Sequence, residues 1–367
     1  LLPVFRPVLP GAKGARSAEF KFPGPDREQM KVFVSVAMTF CALAMSSCLL
    51  GAELPAVGAA AGVGCGKEPE KVQRLQIRKP GTYENYLVDG GWVERNLVKI
   101  NSDRVVLRNS EIRNGRHNAV TVYSGEVLID SCRIHHLLAG SFDKQRDAHG
   151  ITGRPGKLVI RNCEIYLVSG DCLQFDPGRG PWGEVLVENC TFWTGPLTAD
   201  AAGFRKGQVP GENAIDTKQL AKNPRSNITL RRCLFYGWKN GSISNMAALN
   251  LKENIRARIE DCVFLENEIT FRLRGGVSER GGALVEIADC AVYRCAVALR
   301  LEDGIRDLRI RRLGIGSGVE REIRRAGGGP GRGYLFEGRY TAPASGVVLE
   351  KGPAAWLKLQ GVREKAD

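Results

Sequence analysis

The sequence has no stretch in which apolar residues recur at helical spacing, and it has no CxxC pair with histidine partners. The first absence argues against a helical bundle, because an amphipathic helix needs apolar residues at i, i+3, i+4 and i+7 to cover a core. The second argues against a zinc framework, whose thiolate and imidazole ligands come at short fixed spacings. Nor does the chain carry a recognised nucleic-acid-binding module or a basic stripe interleaved with aromatics. Yet it is basic, with 53 Lys and Arg against 40 Asp and Glu and a formal charge of +13. Setting residues 1–56 aside leaves 47 basic and 36 acidic side chains, so the folded part keeps a positive field. Such a field suits an anionic surface or an acidic polysaccharide, and with no module for it nucleic acid is not expected as a partner.

What the chain does have is one phrase, used eight times: a run of alternating apolar residues, a polar turn, then usually Cys and another apolar residue. It reads VVLRNSEI around Ser110, VLIDSCRI around Cys132, LVIRNCEI around Cys163 and VLVENCTF around Cys190, then ITLRRCLF around Cys233, RARIEDCVF around Cys262, VEIADCAV around Cys290 and LRIRRLGI around Leu313. The separations are 22, 31, 27, 43, 29, 28 and 23 residues, a period that means stacked supersecondary units. Within each unit the alternation has period two and β-branched residues are frequent, as in Ile228-Thr229-Leu230, so the units are built of strands. Strands that recur in one direction once per unit pair in parallel, and parallel connections turn right-handed. The expected fold is all-β, a right-handed parallel β-helix over residues 75–315. Six of the eleven Cys share one repeat position, which also accepts Ser110 and Leu313, and that marks a small inward slot holding unoxidised thiols.

Met30-Lys31 followed by VFVSVAMTFCALAMSSCLLG has the plan of a secretory signal peptide, so residues 30–56 are read as an export segment and 1–29 as an upstream stretch outside the fold. The expected location is secreted or periplasmic. Cleavage after Ser46 or a later small residue is one expectation, and lipidation at Cys48 is the alternative. The apolar run is only marginally long enough for a span, so no stable membrane insertion is expected. Residues 57–74 read as a linker. The stretch from Leu75 reads as an entry that covers the first open coil, and 316–367 as a C-terminal cap, since an uncovered edge would recruit other strands. A monomer is expected. Two insertions, 135–150 and 194–218, interrupt the period and should leave the coil on one face, where solenoids commonly bind.

Aligning the coils on HNAVTVY, HGITG, DCLQFD, NAIDTK, AALNLK, TFRLR and ALRLE puts Thr121, Thr152, Gln174, Asp216, Asn250, Arg272 and Arg300 in one outward column. Two residues on, Asp176, Lys218, Lys252, Arg274 and Glu302 form a second column on the same face. His149, Asp171 and Asn213, with Glu212 alongside, lie just before the strands. Carboxylates in the middle coils followed at once by Lys and Arg suit a uronic acid, whose C5 proton becomes removable once its carboxylate is neutralised. Calcium held by oxygen ligands or an Arg fork would do the neutralising, and a lysine would be the base. The expected catalytic residues are Lys252 first, then Lys218, with Arg272 beside them. Arg274, Arg300, Asn250, His149 and Gln174 are expected to hold substrate, and Asp171, Asp176, Glu212, Asn213 and Asp216 to hold calcium. The plain alternative is that these charges pair a coil apart as structural ladders on a solvated face.

With these residues in view, the chain resembles the pectate-lyase-like superfamily of right-handed β-helices over roughly residues 75–315. GENAIDTK followed one coil later by LNLK resembles the calcium cluster and catalytic lysine of family 9 polysaccharide lyases. The resemblance implies β-elimination on an acidic polysaccharide such as pectate. It departs from that family at Glu212 and Asn213, where the family is Asp-rich, and the further Asp from a previous coil has two counterparts here, Asp171 and Asp176. The pattern also resembles secreted bacterial β-helix-repeat proteins of uncharacterised activity. A second reading is hydrolysis of the polygalacturonase type by Asp171, Asp176 and Asp216, for which Ala148-His149-Gly150 matches only part of a GHG motif and the expected Asn-Thr-Asp and Asp-Asp pairs are absent. A third is a non-catalytic carbohydrate-binding protein in which Trp182, Trp193 and Trp238 either stack on sugars or pack in the interior.

Overall fold

The computed structural model describes residues 62–123, 125–176, 180–276, 282–305 and 307–326, together with the backbone of 335–336 and 339–341. Among the described residues there is no helix, and every strand pairing in the coils is parallel. One coil serves for all. Lys157–Arg161, Glu164–Val168 and Leu173–Phe175 follow one another, and each pairs with its counterpart in the next coil, Glu184–Glu188, Thr191–Trp193 and Asn213–Thr217. The first two strands of every coil belong to one large sheet. The third strands make a separate parallel sheet of ten: 75–77, 98–100, 120–122, 151–153, 173–175, 213–217, 247–251, 269–274, 297–302 and 321–326.

The repeated phrase explains the turn between the first two strands. The residue just before the slot sits in the left-handed region, as at Asn109 (φ 47°), Ser131 (54°), Asn162 (54°), Asn189 (52°), Asp261 (52°) and Asp289 (56°). Short polar side chains tolerate that conformation best, which is why the phrase is polar there. The slot residue then points inward and is buried in all eight coils. Each thiol donates to the carbonyl two residues earlier, 3.1 Å for Cys163 and Cys190 and 3.3 Å for Cys132, so the turn's carbonyl is satisfied inside the coil. All nine described Cys are free thiols. Complete burial pushes the Cys132, Cys190 and Cys262 thiols upward, which keeps them neutral and inert. Phe192, Phe235 and Phe264 stack beside them with ring centroids 5.0 and 4.9 Å apart, the spacing of the coils themselves.

The solenoid extends further than expected at both ends. Glu70–Val72, inside the segment read as a linker, already pairs in parallel with Tyr86–Val88. The stretch read as an entry covering the first coil is itself coiled, with Leu75–Ile77 paired to Val98–Ile100 and Gly81–Glu84 to Val105–Arg108. At the other end, Arg321–Ala326 pairs in parallel with residues 297–302, and the backbone of 335–336 and 339–341 continues against 308–315. What fades after Ile315 is the slot phrase, whereas the strand alternation that makes the coil persists. The export segment, Cys48 and residues 342–367 of the expected C-terminal cap lie outside the described residues. No helix among the described residues is long and apolar enough to cross a membrane.

The insertions leave the corner between the second and third strands, as their spacing required. Residues 139–146 form an antiparallel hairpin, Ala139–Ser141 with Lys144–Arg146. The loop after Trp193 packs Leu197 and Phe204 onto the outside of the second-strand stack. A third loop, 237–246, was not anticipated. Gln145 joins all three, accepting from Gly211 N at 3.0 Å and donating to Ser242 Oγ at 2.7 Å. Beneath them runs an outward ladder in register, His135, Tyr166, Trp193 and Tyr236, with centroid separations of 4.7, 4.2 and 5.9 Å and near-parallel rings.

Candidate functional site

The outward face of the ten-stranded sheet carries the column in the expected register: Thr121, Thr152, Gln174, Asp216, Asn250, Arg272 and Arg300 are successive partners. Because side chains alternate along a strand, residues two further on share this face. Lys218 and Lys252 each follow their strand directly, with Lys218 N donating to Phe175 O and Lys252 N to Thr217 O.

At the centre Lys252 Nζ lies 2.7 Å from Asp216 Oδ2, and the two side chains are only 15% and 6% exposed. Asp216 Oδ1, Asn250 Oδ1 and Asn213 Oδ1 are buried acceptors without a protein hydrogen-bond partner. Three unsatisfied oxygens on adjacent coils are costly unless something else meets them. Desolvation raises the pKa of Asp216 even though Lys252 pulls against it. Glu212 is raised by desolvation and by the Asp216 charge. Asp171 is wholly buried and pushed well up, by desolvation first and then by Asp216 and Glu212. Its Oδ1 accepts from Asn213 N at 3.1 Å and Nδ2 at 2.9 Å, and Gln174 Nε2 approaches Oδ2 at 3.4 Å.

His149 completes this end. Its Nδ1 accepts from Asp171 N at 2.9 Å, which leaves the proton on Nε2, and burial lowers its pKa to about 4. The neutral ring therefore orients the strand start rather than carrying charge. His135 belongs to the other outward stack, where its Nε2 lies 3.3 Å from Glu111, and His136 meets it edge-on.

The cations sort differently from the sequence reading. Arg272 and Arg274 reach Glu302 at 3.0 and 3.3 Å, Arg300 joins the same carboxylate, and Arg274 also meets Asp303 at 3.1 Å. Three guanidinium groups thus face two carboxylates, one and two coils beyond Lys252, and positive charge is left over. Lys218 is held by Asp176 at 2.6 Å. Partial burial pulls its pKa down, but the Asp176 hydrogen bond and charge leave the ammonium above its ordinary value. The charge ladders of the plain alternative are therefore present, and they divide the face into three clusters.

The calcium set is split by this division. Asp176 and Asp216 are each taken up by a lysine, and Asp171 by Asn213. Among the described residues no three His, Cys, Asp or Glu side chains are placed to hold one metal ion. The oxygen donors are of the right type for calcium but not gathered for it. All three tryptophans considered for sugar stacking are buried, at 1–2% exposure, with Trp193 inside the aromatic ladder and Trp182 donating to Lys218 O at 2.9 Å.

Residues 96–244 match the family model described as right handed beta helix region. Among solved structures the chain is similar to an alginate lyase from Paenibacillus sp. str. FPU-7, at 13% identity and TM-score 0.40, with 74% of this chain and 87% of that one covered. It is also similar to a tailspike protein of Acinetobacter baumannii bacteriophage Fri1, a capsular polysaccharide depolymerase. There the identity is 11%, the TM-score 0.34, and 76% of this chain and 45% of that one are covered. No curated protein matches the chain. With three-strand coils in parallel register throughout and this matched span at its centre, the chain is a right-handed parallel β-helix.

Proposed function

We propose that this protein is a polysaccharide lyase that cleaves an acidic, uronic-acid-containing polysaccharide by β-elimination across the ten-stranded face. The observation that carries the reading is the Lys252–Asp216 pair, 2.7 Å apart and nearly buried at the centre of an otherwise polar face. Burial raises the carboxyl pKa of Asp216, so that carboxylate is a ready acceptor for a proton from the lysine. The freed amine takes the C5 proton of the uronate, the electron pair forms the C4–C5 double bond, and the C4–O4 bond breaks with the proton returned to O4 from the Lys252 ammonium. Asp216 then reprotonates the lysine. The carbanionic charge is stabilised by the guanidinium cluster of the next two coils, where Arg272, Arg274 and Arg300 share Glu302 and Asp303. Asn250 stands next to Asp216 in the same column, one coil on.

Hydrolysis is the second reading, favoured by the raised pKa values of Asp171, Glu212 and Asp216, which suit carboxyl groups that donate protons at neutral pH. One assay separates the two. The protein is incubated with a panel of uronans and neutral polysaccharides, and both ultraviolet absorbance and new reducing ends are followed. Elimination gives the two signals together, hydrolysis gives reducing ends alone, and neither signal on any polymer leaves a binding protein.

A further inference from the structure

We propose that Tyr123, Lys99 and Arg154 form a second subsite on the same face, one that holds the charged group of a uronate several sugars along the polymer from Lys252. The inference rests on the reading of this face as a uronan groove. Of the large hydrophobic side chains among the described residues only Tyr123 (43%) and Leu220 (45%) are exposed, and Tyr123 is the aromatic one. Its ring has Arg154 5.3 Å and Lys99 5.7 Å from its centroid. A cation held against a ring face is fixed in place for an anionic ligand.

The location is set by the coil. Tyr123, Arg154, Asp176, Lys218 and Lys252 are the residues that directly follow five successive strands of the ten-stranded sheet. Tyr123 thus stands four coil steps from Lys252, about 19 Å at about 4.8 Å per step, the reach of a short oligosaccharide. Gly153 makes room for this arrangement. It sits at φ +130°, and a Cβ there would come within 2.1 Å of the Val122 carbonyl oxygen, so the strand that delivers Arg154 can pass the Tyr123 coil only as glycine.

An open groove of about 620 Å³ lies here, lined by Asn101, Asp103, Tyr123 and Arg154 with Gly156 and Pro181. Its chemistry is mixed in the way a uronate needs. Lys99 and Arg154 suit the carboxylate, and the Asn101 amide suits ring hydroxyls. Asp103 is itself oriented by the Gly125 amide, which donates to its Oδ1.

The test uses binding, so that turnover does not intrude. Saturated oligogalacturonates and oligomannuronates of increasing length are titrated calorimetrically into Lys252→Ala protein, and into the same protein carrying Tyr123→Ala, Tyr123→Phe or Arg154→Gln. Affinity should rise once the oligomer is long enough to span both sites. Tyr123→Ala and Arg154→Gln should each remove about tenfold of that rise, the worth of a charge-assisted contact, with Tyr123→Phe restoring most of it. Thermal melting checks that each variant is folded. If wild-type protein cleaves a uronan while the length dependence survives in Tyr123→Ala and Arg154→Gln, this subsite is refuted and the reading of the face stands. Equal affinity for a neutral oligosaccharide of the same length also refutes it. No binding and no cleavage of any uronan would remove both.

Discussion

Two outward columns of this solenoid are built by the same geometry and end in opposite chemistry. On the second-strand stack, His135, Tyr166, Trp193 and Tyr236 place ring on ring, and the inserted loops cover them with Leu197 and Phe204. On the ten-stranded sheet, Gln174, Asp216, Asn250 and Arg272 place unlike groups in register, and the middle of that column is left with acceptors no protein atom satisfies. Stacking like on like at the coil spacing satisfies itself and yields stability. Stacking unlike polar groups leaves charge and hydrogen-bonding capacity that the neighbouring coils do not use. Binding capacity should therefore sit on the second face and folding energy on the first.

The largest effect expected from this division is on turnover. Lys252→Ala should lower the elimination rate by about a hundredfold to ten-thousandfold, the usual worth of a general base, in a protein that stays folded with a lower melting temperature because Asp216 loses its partner. Next comes the sealed face. Trp193 is 1% exposed and stacks on Tyr166 at 4.2 Å, so Trp193→Ala should cost about 3–5 kcal/mol in denaturant unfolding while turnover per folded molecule stays the same. If turnover fell in proportion instead, the two faces would not be separable.

Smaller effects distinguish the buried groups of the open face by pH. His149 has its pKa lowered by burial to about 4 from 6.5, so in that interval the unfolded chain binds more protons and stability falls as the pH drops. His149→Gln should remove that part of the slope. Asp171 is shifted the opposite way, upward through desolvation, so its contribution to stability is lost as pH rises through its folded value. Asp171→Asn, which keeps an Oδ1 acceptor for Asn213, should flatten that loss. The two slopes oppose each other, so each is read as variant minus wild type in urea titrations across the pH range. The smallest effect is expected from chelation. EGTA should change elimination by less than about twofold, because the neutralising charge comes from guanidinium groups. Abolition by EGTA and rescue by calcium would assign Asp171, Asp176, Glu212, Asn213 and Asp216 to the metal after all.

The backbone of this picture was legible in the sequence because a parallel coil leaves little freedom. Once the coils are aligned on their third strands, Thr121 through Arg300 must fall in one column, and they do. Pairing within the column was not legible, since it depends on how long side chains turn between coils. Arg272 and Arg274 turn toward Glu302 in the following coil, where Arg300 of its own strand joins them, rather than back toward Asp216. The loop at 237–246 was hidden because it fits within an ordinary spacing, 29 residues from Cys233 to Cys262, whereas the 43 residues between Cys190 and Cys233 announced the other. Tyr123 and Arg154 were within reach of the same alignment, two residues beyond Thr121 and Thr152, but the second column was begun only at Asp176. Of the two roles open to the tryptophans, interior packing prevails for a physical reason. Their large apolar area is worth most in the interior, and the smaller Tyr123 with a polar end is the ring that stays at the surface.

The central claim is that polymer lies along the ten-stranded face with one uronate at Lys252. A crystal structure of Lys252→Ala protein with a bound oligouronate tests it most directly. The sugar chain should run along the column from Tyr123 toward Arg272, with one C5 facing the space left by the lysine and a carboxylate turned to Arg272 or Arg274. A chain bound on the loop-covered aromatic face, or on the outside of the large sheet, would contradict it.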